Sequence, residues 1–208
     1  MPMTKFSENE LTIEFDYNLL KSVLSDYGHP RVKINQLIKT QQIIRVKKGI
    51  YVRAGQSYSP LVLANMIYGP SYVSQDFALS SYGLIPERVM TVTSMTTGRR
   101  KEFMTPCGNY NYEHLAPRFY MHGLRRVEID GGRAYLIANP EKAIIDRIWN
   151  LKGLDTLKKL EDYFEADMRF DFSNIKQIKI SNLSKLAKIY DRPLIHLLEQ
   201  LFRARMPS

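Results

Sequence analysis

The sequence predicts an α+β protein with two domains, a small one over residues 1–55 and a larger one over residues 60–208. Two observations lead to this prediction. An apolar helical period over residues 31–40 is followed at once by two short β-branched runs that meet at Gly49. Between residues 88 and 138, five β-rich runs are separated by Gly, Pro and Asn, and helical periods follow them. This spacing is typical of a mixed α/β domain with an antiparallel sheet and a C-terminal helical tail.

The first domain is predicted to be a winged helix-turn-helix. Residues 16–26 have a helical period with Asp16 as its N-cap, and a turn at 27–30 follows. The second helix carries the apolar stripe Ile34, Leu37 and Ile38. The hairpin turns at Lys47-Lys48-Gly49, where glycine supplies the positive φ of a tight turn. In such a motif the second helix enters the DNA major groove and the hairpin, or wing, lies beside the phosphates. Residues 1–13 are polar and are expected to form an arm or a strand.

Charge favours an anionic partner for this domain. Between Tyr27 and Gln75 there are seven basic residues and no Asp or Glu, in a chain of net charge +9. A merely solvated helix and hairpin would usually mix charges of both signs, although a basic hairpin that only packs on its helix is the alternative.

Candidate DNA-binding residues follow from side-chain chemistry. Amide side chains can both donate to and accept from adenine, so Asn35, Gln36 and Lys39 are expected to face base edges. Phosphate contacts are expected from the basic residues Arg31, Lys33, Arg45, Lys47 and Lys48. A second basic set comprises Arg99, Arg100 and Lys101, with Arg125 and Arg126 on a later strand. Either this set extends the DNA footprint, or it is the solvated end of strands.

The second domain begins after a linker at residues 55–60. Ser59 and Pro60 are predicted to open a helix, and residues 70–86 to form a strand and then a helix. Tyr110 and Tyr112 fall on one face of a predicted strand, where core packing is the preferred interpretation over base stacking. Asn139 and Pro140 are predicted to open a further helix. Three more helical periods follow, over 154–165, 182–190 and 193–205.

Composition narrows the function classes. No apolar run approaches the about 18 residues of a membrane span, and acidic residues interrupt the N-terminus where a signal peptide would be apolar. The single cysteine, Cys107, excludes an internal disulfide and a cysteine-based zinc site. The four histidines lack ligand spacing. We therefore expect a cytoplasmic protein, not an enzyme, with no catalytic residue, metal or cofactor and no membrane partner.

Several motifs resemble those of the AbiEi-type abortive-infection antitoxins, which are bacterial transcriptional regulators linked to phage defence. They are LIKTQQIIRVKKGIYV at 37–52, PSYVSQDFALSSYGLIP at 70–86, VTS at 92–94, the basic 99–101, GNYNYEHL at 108–115 and IANPEKAIIDRI at 137–148. The resemblance covers residues 17 to 150. The segment before Asp16 lacks the extra helix of many winged modules, and residues 151–208 match no motif of the family.

The resemblance implies a DNA-binding winged helix joined to a C-terminal domain. It implies an autorepressor that binds double-stranded DNA, at inverted repeats in its own promoter. It also implies an antitoxin that opposes a separately encoded nucleotidyltransferase-like toxin from the same bicistronic operon. The oligomeric state does not follow from the sequence.

Two other functions stay open. The first is an antitoxin that mainly binds protein through its C-terminal helices, where Leu194, Leu197, Leu198, Leu201 and Phe202 make a stripe that fits either a core or a partner groove. The second is a metal-dependent nuclease that uses Glu128 and Asp130 with Lys101.

Overall fold

Residues 11–205 are described by the computed structural model, and they combine helices and strands with helices at the C-terminal end, as the sequence predicts. Most of the arm or strand predicted over residues 1–13 lies outside the described residues. The strands are β1 (Glu14–Asp16), β2 (Ile43–Lys47), β3 (Ile50–Arg53), β4 (Ser71–Val73), β5 (Val92–Thr96), β6 (Lys101–Thr105), β7 (Gly108–His114), β8 (Leu124–Ile129) and β9 (Arg133–Ala138). The helices are α1 (Tyr17–Val23), α2 (Pro30–Lys39), α3 (Pro60–Ile67), α4 (Gln75–Ser81), α5 (Pro117–Tyr120), α6 (Pro140–Ile148), α7 (Leu157–Asp162), α8 (Ile180–Tyr190) and α9 (Pro193–Arg205). Within the described range, no helix has both the length and the apolarity that a membrane crossing requires.

A small module, residues 11–55, consists of α1, α2 and a three-stranded antiparallel sheet in the order β1-β3-β2. Asp16 caps α1 by accepting a hydrogen bond from the Leu19 N–H at 2.8 Å, as predicted. At the tip of the β2–β3 hairpin, Gly49 has a φ of 87°, which favours glycine. The module has its own apolar core, formed by Leu11, Phe15, Leu20, Leu24, Ile34, Leu37, Ile43 and Tyr51.

The larger sheet of the described chain has six strands in the order β6-β7-β5-β4-β9-β8. Antiparallel pairing joins β4 to β5, β6 to β7 and β8 to β9. The β5–β7 and β4–β9 ladders are parallel, so the prediction of an antiparallel sheet is incomplete. The reason is topological. Strand β7 inserts between β5 and β6, and β9 returns beside β4 after a long excursion, neither of which a run of β-forming residues can indicate.

Helices and the sheet enclose the main core. Tyr110 and Tyr112 are fully buried, which confirms the core interpretation of that strand face. In the tail, the π-helical turn Tyr163–Asp167 and the 3₁₀ segment Phe172–Gln177 separate α7 from α8. Leu198, Leu201 and Phe202 of α9 are buried in the same core, so the core interpretation of the C-terminal stripe is confirmed for them.

Helix α6 carries a buried ion pair. The Lys142 Nζ lies 3.1 Å from the Asp146 Oδ1, and neither side chain is exposed. The hydroxyls of Tyr72 and Ser74 each donate to the Asp146 Oδ2 at 2.8 Å. The Tyr190 hydroxyl accepts from Lys142 and donates to the Asp146 Oδ1 at 3.3 Å. The pair therefore joins α6 to β4 and to α8 through hydrogen bonds to a charged group, which are the stronger kind.

Burial shifts the pKa of the groups around this pair. Burial lowers the pKa of Lys142, and the neighbouring Asp146 opposes that shift. The pKa of Tyr72 and of Tyr190 is raised, first by burial and then by the charge of Asp146. The tyrosines therefore act as neutral donors to the carboxylate.

A second ion pair joins the small module to the large sheet. The carboxylate of Glu14 on β1 accepts a hydrogen bond from Arg133 of β9 at 3.0 Å and one from the Ser59 N–H at 2.5 Å. The hairpin also contributes Val46 and Val52 to the main core. Packing therefore crosses the predicted boundary at residues 55–60.

Replacing Asp146 with alanine should lower the free energy of unfolding by about 3–5 kcal/mol, because Lys142 is left as an unpaired buried charge. Urea unfolding followed by circular dichroism would measure the change. The matched control is Asp162→Ala, which breaks an exposed Lys158–Asp162 pair with the same i, i+4 spacing and an N–O distance of 2.7 Å. That variant should unfold almost like the parent. Equal losses in the two variants would contradict the role given to the buried pair.

Candidate nucleic-acid interface

A cleft of about 670 Å³ separates α2 from the β2–β3 hairpin. Four of the predicted DNA-binding residues line it, namely Arg31 and Asn35 from the helix and Arg45 and Lys48 from the hairpin. Its lining also includes Tyr17, Ile34, Ile38, Gly49 and Tyr51. The structure thus brings cations from two elements to one concave surface.

Packing of α2 determines which side chains project from it. Ile34 and Leu37 are buried in the small module, so the opposite face of the helix lies in solvent. On that face Asn35, Gln36 and Lys39 are exposed. The base contacts predicted for them require this exposure.

Val32 lies in the same exposed stripe and is 67% exposed. Its spacing from Asn35 and Gln36 is i+3 and i+4, which places the three side chains side by side. Val32 was missed by the sequence prediction because an apolar residue carries no charge signal. The available signal was its position nearly opposite the buried stripe.

The side chain of Lys33, for which a phosphate contact is predicted, contacts neighbouring residues of the small module. Its ammonium lies 5.2 Å from the centroid of the Tyr27 ring and donates to the Gln36 Oε1 at 3.4 Å. The side chain is half-buried. It lines the edge of the exposed helix face and not the cleft.

Lys47 is placed apart from the cleft. Its ammonium donates to the main-chain oxygen of Ile67 at 2.5 Å and lies 4.8 Å from the centroid of the Phe103 ring. Burial, and then the charge of Lys101, lowers the pKa of Lys47. The predicted phosphate contact therefore does not fit Lys47, which fastens the hairpin to α3 and β6.

The pairing of β2 explains why Lys47 and Arg45 face different partners. The register of β2 against β3 shifts between these two residues, and Val46 between them is buried. Regular alternation would direct positions 45 and 47 to one face of the strand, and an irregularity redirects one of them. Sequence alternation alone gives no sign of this shift.

The first three residues of the second basic set, at 99–101, lie at or next to strand β6. The Lys101 ammonium lies 4.8 Å from the centroid of the Tyr68 ring, and that ring is 6.0 Å from Phe103, so Lys101 lies beside Lys47. Arg100 pairs with Glu113 at 3.0 Å and with Glu102 at 3.4 Å. Arg99 is exposed next to them. These three residues are therefore on the hairpin side of the large sheet.

The later basic residues lie at the other edge of the large sheet from Lys101. Arg125 and Arg126 lie on β8, the edge strand opposite β6, and Arg126 pairs with Glu128. This order also separates the candidate nuclease residues, because Glu128 and Asp130 are at the β8 edge and Lys101 is on β6. Among residues 11–205, no three or more His, Cys, Asp and Glu side chains form a group that could hold a metal ion.

Comparison with models of known protein families finds no match to this chain. Comparison with curated proteins finds no relative. The resemblance to AbiEi-type antitoxins therefore stays a proposal that rests on the motifs quoted above.

Replacing Lys47 with methionine should lower the free energy of unfolding by about 1–2 kcal/mol, because a charged hydrogen bond to Ile67 and a contact with Phe103 are lost. The control is Lys48→Met, at the exposed neighbouring position, which should change that free energy by less than about 0.5 kcal/mol. Chemical denaturation of both variants makes the comparison. If Lys48→Met were the more damaging change, the assignment of the two lysines would be wrong.

Proposed function

We propose that this protein is a DNA-binding transcriptional regulator and that its small module is a winged helix-turn-helix. The observation that carries the proposal is the cleft between α2 and the hairpin, where Arg31, Arg45 and Lys48 converge with Asn35. None of the described residues that line this cleft is acidic. Convergent cations without compensating acids favour a polyanion.

In the proposed complex, α2 lies in the major groove. Asn35 and Gln36 read base edges because their amides offer a donor and an acceptor together, and Lys39 lies one turn further along. The exposed methyl groups of Val32 suit the methyl group of thymine. Arg31, Arg45 and Lys48 hold the adjacent phosphates and set the register of the helix on DNA.

The second basic set supports a longer footprint. Lys101 and Arg99 lie on the same side of the molecule as the hairpin, and Lys47 is next to Lys101. Phosphates beyond the half-site would meet this surface. Because Arg100 is already paired with two acids, Arg99 and Lys101 supply most of the charge there.

We further propose that the regulator is an autorepressing antitoxin of a bicistronic phage-defence operon, opposed to a nucleotidyltransferase-like toxin. This step rests on the sequence motifs shared with the AbiEi-type family. The alternative of a mainly protein-binding antitoxin has less support, because the leucine stripe of α9 that would carry it is largely used in the core.

Fluorescence anisotropy with the gene's own upstream DNA tests the proposal. Specific binding should be about 10³-fold tighter than binding to a scrambled duplex of the same length, measured at equal salt. Equal affinity for both duplexes would mean that the charge is only a general attraction, and would overturn the proposed function.

The salt dependence of binding tests the phosphate contacts. Arg45→Met and Lys48→Met should each reduce the slope of log K against log salt by about one unit, since each removes one phosphate contact. Lys47→Met is the matched control and should leave the slope unchanged, because its ammonium already bonds the main chain of Ile67. A reduced slope for Lys47→Met alone would contradict the assignment of cleft residues.

Gln36→Ala should reduce discrimination at one base position by about 1–3 kcal/mol and leave binding to scrambled DNA unchanged. Arg31→Met, in the same helix, should instead weaken all sequences about equally. Binding to a set of duplexes with single base changes distinguishes these patterns. A uniform loss for Gln36→Ala would rule out direct reading of a base by that side chain.

A further inference from the structure

A second cavity shares no lining residue with the cleft between α2 and the hairpin. It has a volume of about 360 Å³ and lies between β8, the start of α6 and residues 177–182. Its walls include Arg125, Tyr82, Glu141 and Lys179, with the amide side chains of Asn139, Gln177 and Asn182. All of these lining side chains are polar.

Glu141 is the unusual member of this wall. The residue is only 1% exposed, and its Oε1 accepts a hydrogen bond from the Lys179 N–H at 2.6 Å. Its Oε2 is buried and has no hydrogen-bond partner among the described residues. A buried carboxylate oxygen without a donor is costly, so a hydrogen-bond donor brought to this oxygen would stabilise it.

Two cationic residues line the same cavity as this carboxylate. Arg125 is exposed on β8, and the Lys179 side chain is exposed at the other wall. Between them the Tyr82 hydroxyl donates to the main-chain oxygen of Ala138 at 2.7 Å. Tyr82 and Arg125 line the cavity together. Burial raises the pKa of Tyr82, and the positive charge of Arg125 opposes that shift. The lining of the cavity thus combines a buried carboxylate with two exposed cations.

We propose that this cavity binds a small amphoteric molecule, whose amino group donates to the Oε2 of Glu141 and whose phosphate or carboxylate group meets Arg125 and Lys179. The volume is at the lower end of small-molecule sites, which suits a single amino acid or mononucleotide and not a polymer. An amino acid and a nucleotide with an amino-bearing base share this chemistry. The inference does not rest on DNA binding, since no residue of the α2 cleft takes part.

Isothermal titration calorimetry on the full chain tests the proposal with two pairs of probes. AMP is compared with ribose 5-phosphate, and L-phenylalanine with 3-phenylpropionate, so that each pair differs by the amino-bearing part. At least one amino-bearing probe should bind, and its partner should bind about tenfold more weakly or not at all. AMP binding alone identifies a nucleotide, and L-phenylalanine binding alone an amino acid.

Two variants and one control variant locate the binding. Glu141→Gln keeps an acceptor for the Lys179 N–H but replaces the free oxygen with a donor NH₂, so the fold should be at least as stable while the probe binds about tenfold more weakly or worse. Arg125→Met should also weaken binding, and Arg126→Met, the neighbouring exposed arginine, should not. The folded state of each variant is checked by its unfolding midpoint without probe.

The proposal is overturned if neither amino-bearing probe binds when it is present at about 10 mM. Such a result would mean a dissociation constant too weak for a specific site. It is also overturned if Glu141→Gln binds as tightly as the parent, or if Mg²⁺ alone binds at Glu141 and excludes the probes. In those cases Glu141 serves only to hold residue 179 against the start of α6.

Discussion

The buried pair of Lys142 and Asp146 is the constraint on which the large domain depends. Two charges taken out of water are stable only if every lone pair and proton finds a partner, so β4, α5 and α8 must each present a group to them. Tyr72, Ser74 and Tyr190 do so, and the main-chain oxygen of Phe119 accepts from Lys142 at 3.1 Å. A shift of any one of these elements would leave a hydrogen-bonding position of the buried pair without its partner. The pair therefore specifies one arrangement of the layers around α6.

The acidic side chains of the small module that have hydrogen-bond partners also affect the charge of its surface. Glu14 is turned inward to Arg133 and the Ser59 N–H, and Asp16 is used as the cap of α1. Glu14 is paired with Arg133, and neither Glu14 nor Asp16 is among the residues that line the cleft. Lys47 is fastened to Ile67, which holds the hairpin that carries Arg45 and Lys48 against the large domain. The position of the candidate DNA surface therefore depends on the contacts that Glu14 and Lys47 make with the large domain.

Local signals in the sequence were sufficient for much of the fold. Asp16, Ser59 and Asn139 each accept a hydrogen bond from the first turn of the helix that they were predicted to open. The hairpin at Gly49 and the buried face of α2 are also as predicted. Helix caps, tight turns and helical periods involve residues within four positions of each other, so they can be recognised without knowing what packs against them.

The sequence by itself determined these elements, the cationic character of residues 27–75 and the burial of Tyr110 and Tyr112. Only the tertiary structure decided that β5 runs parallel to β7, that Lys47 leaves the cleft and that Glu141 faces a cavity. The physical reason is that each of these depends on partners far away in the chain. Residue 47 bonds residue 67, and residue 141 bonds residue 179, so their environment is set by packing that no local pattern encodes.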